Sequence, residues 1–201
     1  SGGAYRRFNF SGLNCWERDF KEGGNGLDYL YADNVDLTFY IGHGYGGGFT
    51  FESAKDDGEI YYTDTIGDWG NGDMEWLALT SCQVLKETWN GRKWWARWIP
   101  DFNGLHIMLG FETNAHDWDQ FGRTFADWLH GRFGFLPPVR VRDAWFLAKM
   151  EQQPAADIAV AIGVIGPGGC HNANDYFHGR GPVGPDIFKS QVQGSWRMSF
   201  Q

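Results

Sequence analysis

Four short segments of the chain are apolar at almost every position rather than at alternate ones. They are 35–41 (V-D-L-T-F-Y-I), 75–80 (E-W-L-A-L-T), 104–111 (G-L-H-I-M-L-G-F) and 156–165 (A-D-I-A-V-A-I-G-V-I). A strand that shows one face to water alternates apolar with polar residues, whereas a strand covered on both faces does not. The β-branched and aromatic residues in these segments suit a pleated backbone. Stretches with helical spacing lie between them. Residues 83–98 read as a helix stopped by Pro100. Residues 117–130 place Trp118, Phe121, Phe125, Trp128 and Leu129 on one face, with Gly131 suited to the position just past a helix end. Residues 137–152 read as a third helix with proline near its start. Buried strands alternating with helices indicate an α/β fold, here a three-layer sandwich around a mainly parallel central sheet.

Smaller elements fill in the rest. Residues 5–10 alternate loosely and read as a strand, and 13–21 as one or two helical turns. Residues 49–51 and 59–63 read as a hairpin, 64–73 as turns, and 195–200 as a short edge strand. With 201 residues the chain reads as one domain, 1–201, whose segment 166–201 is an irregular tail. The first strand of the sheet is expected to lie before Ser1. The 29 glycines, with 7 prolines and no triplet period, mean tight turns and close backbone approaches, not collagen. A net charge of -8 and the lack of a basic stripe argue against a nucleic-acid partner. The longest apolar run, 158–165, falls far short of the roughly 20 residues that cross a bilayer. Three cysteines, Cys15, Cys82 and Cys170, are too few and odd in number for a disulfide framework.

Two of the buried strands end in the same way. One runs F-Y-I-G into His43-Gly44, the other L-A-L-T into Ser81-Cys82. In a parallel sheet both ends fall on the edge where active sites form. A helix starting after Cys82 would favour its thiolate. His43 would move protons, and the N–H groups of Gly44 and Cys82 would hold an oxyanion. Glycine suits that place because no side chain shields its donor.

These motifs resemble the caspase–legumain–gingipain superfamily of cysteine peptidases, whose pattern is a buried strand, His-Gly, a spacer, a second buried strand, and a small residue before Cys. The similarity continues through 109–125 and 138–148 and spans 35–165; the tail from Gly166 has no counterpart. The resemblance implies a caspase-like sheet and a His43–Cys82 dyad with Gly44 as an oxyanion donor. The implied activity is hydrolysis of peptide or protein substrates through a thioacyl-enzyme, with no metal or organic cofactor. Glu112, His116, Asp117 and Asp64 are candidates to line the substrate cleft, and Asp36, Asp64 or Asp117 would favour a basic residue beside the scissile bond. Two other functions fit the sequence: an inactive binding module on the same fold, and a papain-like amidase using Cys15 (in N-C-W) and His171.

The remaining motifs read more plainly. Cys170, His171 and His178 offer soft ligands without a clear fourth, so a turn is expected there. Residues 68–73 space oxygens like a calcium loop but lack its closing Glu, which indicates a solvated turn. His106 reads as a satisfied core histidine, and His130 as a helix-end residue. Trp89, Trp94, Trp95 and Trp98 read as one packed face, with Arg92, Lys93 and Arg97 as a solvated one.

Overall fold

The computed structural model describes residues 8–55, 57–116, 118 and 120–201. All four apolar segments form strands. A five-stranded sheet has the order β1-β5-β8-β9-β10, with β1 Leu37–Ile41, β5 Trp76–Thr80, β8 Ile107–Phe111, β9 Ala159–Ile165 and β10 Gly194–Phe200. Three further strands, β2 Gly44–Tyr45, β3 Gly48–Thr50 and β4 Glu59–Tyr61, make a small antiparallel sheet that contains the expected hairpin. A two-stranded ribbon pairs β6 Thr88–Trp89 with β7 Arg92–Lys93. The helices are α1 Trp94–Trp98, α2 Phe121–His130 and α3 Val141–Gln152. The described part of the expected strand at 5–10 has no regular structure, and 13–21 contains short 3-10 turns.

The large sheet is mixed, which corrects the mainly parallel expectation. β1, β5 and β8 run parallel, β9 runs antiparallel to β8, and β10 runs antiparallel to β9. The connection explains the reversal. One crossover helix returns the chain to the start of a neighbouring strand, which makes a parallel pair. Two helices, α2 and α3, separate β8 from β9, so the chain re-enters the sheet at the end it left.

Side-chain alternation divides the core in two. Trp76, Ala78, Ile107, Leu109, Phe111, Ala159 and Ala161 face α2 and α3. The buried stripe Phe121, Phe125 and Leu129 recurs every four residues, as a one-sided helix requires. Trp145 of α3 joins them, its ring 4.9 Å from Phe121 and its Nε1 donating to the Gly110 carbonyl at 3.2 Å. Leu77, Leu79, Met108, Val160, Ile162 and Val164 face the other way, into a layer of turns, α1 and the small sheet. Trp69 and Trp98 stack there at 6.1 Å, with their indole N–H groups bonded to the Phe20 and Val84 carbonyls.

The expected helix at 83–98 is largely absent: only Trp94–Trp98 is helical. Asn90 and Gly91 both take positive φ, 46° and 76°, which closes the β6–β7 ribbon as a two-residue hairpin. Arg97, read as part of a solvated face, is fully buried. Its guanidinium donates to the Arg92 and Lys86 carbonyls and pins α1 to the ribbon. Burial pulls its pKa down to about 10.

The turn-rich segment at 64–73 wraps a buried carboxylate. Asp33 accepts the N–H groups of Gly70, Gly72 and Met74 at 2.9–3.1 Å. The segment 166–193 is irregular but anchored. His106, 1% exposed just before β8, bonds Asp175 at 2.6 Å through Nδ1 and Asp186 at 3.1 Å through Nε2. Asp175 also accepts Gly184 N–H at 2.9 Å.

Burial alone would lower the His106 pKa, but the bonds and charges of Asp175 and Asp186 outweigh it and raise the value above 6.5. A raised folded pKa gives stability that is complete below the unfolded value and lost as pH rises through the folded one. Thermal melts of the wild type from pH 6 to 9 should show this decline on the alkaline side, and His106→Gln should flatten it. Asp175→Ala, which leaves His106 buried beside the exposed Asp186 alone, should cost about 3–5 kcal/mol in denaturant unfolding.

Candidate active site

Parallel register sets the two strand ends side by side. Ile41 pairs with Thr80, and Gly42 N–H continues the ladder to the Thr80 carbonyl at 3.2 Å. His43 and Cys82 follow on neighbouring strands, whose spacing in such a sheet is about 4.8 Å. Glycine is required at position 44. A Cβ there would stand 2.7 Å from Ser81 Cβ and 3.2 Å from the Cys82 carbonyl oxygen.

Cys82 stands at the apex of a chain reversal. Gln83, directly after it, has φ 57°, unusual for a residue other than glycine. Gln83 N–H then bonds the Thr113 carbonyl at 2.7 Å and Leu85 N–H the Phe111 carbonyl at 2.9 Å. These partners run backward along the chain, so 83–85 lies antiparallel to the segment leaving β8. Gly110 makes room, since a Cβ there would lie 2.7 Å from Val84. No helix begins at Cys82, which corrects the expectation that a helix end favours its thiolate. Ala115 takes that place beside the sulfur: its N–H reaches Cys82 Sγ at 3.4 Å, and its carbonyl lies 3.5 Å from it.

Two donors are arranged as the sequence suggested. Thr50 N–H bonds the His43 carbonyl at 3.0 Å, so 43 and 50 form a hydrogen-bonded pair of the β2–β3 ladder. The next pair, Gly44 with Phe49, is then of the open kind, and Gly44 N–H points away from β3. Cys82 N–H has no hydrogen-bond acceptor among the described residues. His43 is exposed and Cys82 half-buried, and no hydrogen bond joins them.

The other candidates are distributed more widely. His116 is one residue from the Ala115 contact; its backbone exchanges two 2.8 Å bonds with the Gln153 side chain, and its ring lies 3.5 Å from Asp157. Glu112 is ion-paired with Arg197 of β10. Asp64 caps the turn after β4, accepting Tyr61 N–H at 2.7 Å. Asp117 lies outside the described residues. Cys15 and His171 are not brought together: Cys15 packs beside β1, while His171 bridges Ile165, three strands along the sheet. Burial, aided by Asp19, raises the Cys15 thiol to about 11.

The wall beside His43 was not legible from composition. A Cβ at Gly46 would lie 2.6 Å from the Trp89 ring, and one at Gly47 2.6 Å from the Tyr45 and Tyr61 rings. These glycines admit aromatic rings rather than substrate. Asn-Gly at 90–91, the strongest short hairpin signal, is the clue that places Trp89 there.

The chain belongs to a family whose model matches residues 1–200 and is described as a domain of unknown function (DUF6345). No curated protein and no solved structure matches it. Among the described residues no helix is long and apolar enough to cross a membrane.

Two measurements probe this geometry. Gly44→Val should wedge the strand ends apart, with a loss of about 1–3 kcal/mol in denaturant unfolding and a changed rate of Cys82 alkylation. Mass-spectrometric thiol mapping with iodoacetamide at pH 7 should label exposed Cys170 readily and leave Cys15 almost unmodified.

Proposed function

We propose that the chain is a cysteine peptidase of the caspase–legumain–gingipain type that hydrolyses peptide bonds with Cys82 and His43. The observation that carries this reading is the adjacency of the two strand ends, with Gly44 packed against Ser81 and Cys82. On this reading α2 and α3 form one outer layer of a caspase-like sandwich, and the irregular layer opposite forms the other.

The chemistry follows from the donors and the thiol. A peptide carbonyl seated over Cys82 would meet the N–H groups of Gly44 and Cys82. Cys82 Sγ bonds to the carbonyl carbon, its proton passes to His43, and the oxygen becomes an oxyanion held by those two donors. The C–N bond then breaks, and His43 gives the proton to the leaving amine. Water attacks the thioester, His43 takes its proton, and the C–S bond breaks to release the acid and restore the thiol. The exposed His43 ring is suited to reaching the leaving amine. His116 and the aromatic wall of Trp89 flank the path of the substrate, and Glu112, bound to Arg197, supports the same edge.

In a peptide-amide library screen, the wild type should cleave substrates. Cys82→Ala and His43→Ala should each lose at least about 100-fold of that activity. Cys15→Ala should retain it, since its thiol is buried and far from His171. Full activity in Cys82→Ala would sink the proposal. A wild type that cleaves nothing and whose Cys82 ignores electrophilic peptide probes would indicate a binding module instead.

A further inference from the structure

The opposite end of the β1–β5 pair carries a second cluster. Asp36 immediately precedes β1 and Glu75 immediately precedes β5, and His178 from the irregular C-terminal segment reaches both. One ligand atom from each of the three lies within 4.8 Å of the others. We propose that Asp36, Glu75 and His178 bind a divalent transition-metal cation, with zinc as the best match to their donor set. The cluster lies apart from Cys82 and His43, and the proposal does not depend on the peptidase reading.

The backbone holds the two carboxylates in place. The Asp36 carbonyl accepts Glu75 N–H at 3.1 Å and Trp76 N–H at 3.0 Å, one step before the register Leu37↔Trp76 begins. The Glu75 carbonyl in turn accepts His106 N–H at 2.9 Å. The imidazole is steadied by Trp76, whose fully buried ring lies 5.1 Å from it. His178 Nε2 already stands 3.3 Å from Glu75 Oε1. That matches a tetrahedron edge of about 3.4 Å for zinc bonds of 2.0–2.1 Å.

An independent observation points to a missing partner. Glu75 Oε2 is buried and has no hydrogen-bond partner among the described residues. A buried carboxylate oxygen without a donor is costly, and such groups in native proteins are paired or bind metal. Burial chiefly, with the nearby Asp36 charge, raises the Glu75 pKa, while His178 offsets part of the effect. A cation would satisfy the orphaned oxygen and both negative charges at once.

The donor set narrows the cation. Two carboxylates and one imidazole suit zinc and its neighbours, whereas calcium and magnesium favour six or more oxygen ligands. Three protein ligands leave a fourth position open to water, and half-exposed His178 leaves the cluster accessible to solvent. Cys170 and His171 lie outside this cluster, so His178 is drawn away from the sequence motif that contains it.

Zinc titration by calorimetry would use the full chain carrying Cys82→Ser and Cys170→Ser, so that neither thiol competes for the metal. After chelator treatment, one zinc should bind per chain at pH 7.5 and raise the melting temperature. Cobalt in its place should develop visible absorption. His178→Ala and Glu75→Gln should each weaken zinc binding at least tenfold, and His171→Ala should not. His178 is largely at the surface, so its variant should keep the fold, which circular dichroism checks. If Glu75→Gln does not fold, Asp36→Asn and His178→Ala decide the matter. Absence of stoichiometric zinc binding, or binding that survives His178→Ala, would overturn the proposal.

Discussion

The pairing of β1 with β5 determines where the chemistry-bearing side chains stand. Five residue pairs, from Leu37↔Trp76 to Ile41↔Thr80, fix the register of two parallel strands. One step beyond the pairing at one end lie Gly42 and Ser81, followed by His43 and Cys82. One step before it at the other end lie Asp36 and Glu75. A one-residue slip would break both alignments and turn every core side chain of one strand to the opposite face. Burial opposes that slip, since Trp76, Leu77, Ala78 and Leu79 are completely enclosed.

Much of the sheet was legible in the sequence because burial on both faces leaves a periodicity of its own. The central strands β5, β8 and β9 are buried at nearly every position, and the apolar runs report that directly. The edge strand β1 shows an exposed Ile41, so its run of apolar residues overstated its enclosure. Strand direction was less legible. The two helical patterns between β8 and β9 were visible, but their number, which reverses the returning strand, was not used.

The helix expected at 83–98 failed for a local reason. Trp89, Trp94, Trp95 and Trp98 give a helix-like spacing, yet Asn90-Gly91 sits inside it and takes the paired positive φ angles of a hairpin. Turn chemistry outweighed periodicity there. The consequence reaches Cys82, which sits on a reversed turn rather than at a helix end. The adjacency of His43 and Cys82 survived this error, because it depends on strands that were read correctly. The grouping of Asp36, Glu75 and His178 left no comparable signal. The first two are separated by 39 positions of chain, and the third arrives from a segment without regular structure.

That segment has a bearing on where the folding unit ends. Residues 166–193 carry neither a long helix nor a strand of the main sheet, and a boundary drawn at Ile165 looks natural from the sequence. Such a cut would remove Asp175 and Asp186 from His106, leaving a buried imidazole without its carboxylates. It would also uncover β9, whose outer edge is paired along its whole length with β10, and expose Gly163, which the Trp196 ring covers. The irregular stretch therefore serves as a strap that carries the last strand into place, and the smallest autonomous unit must run through Phe200.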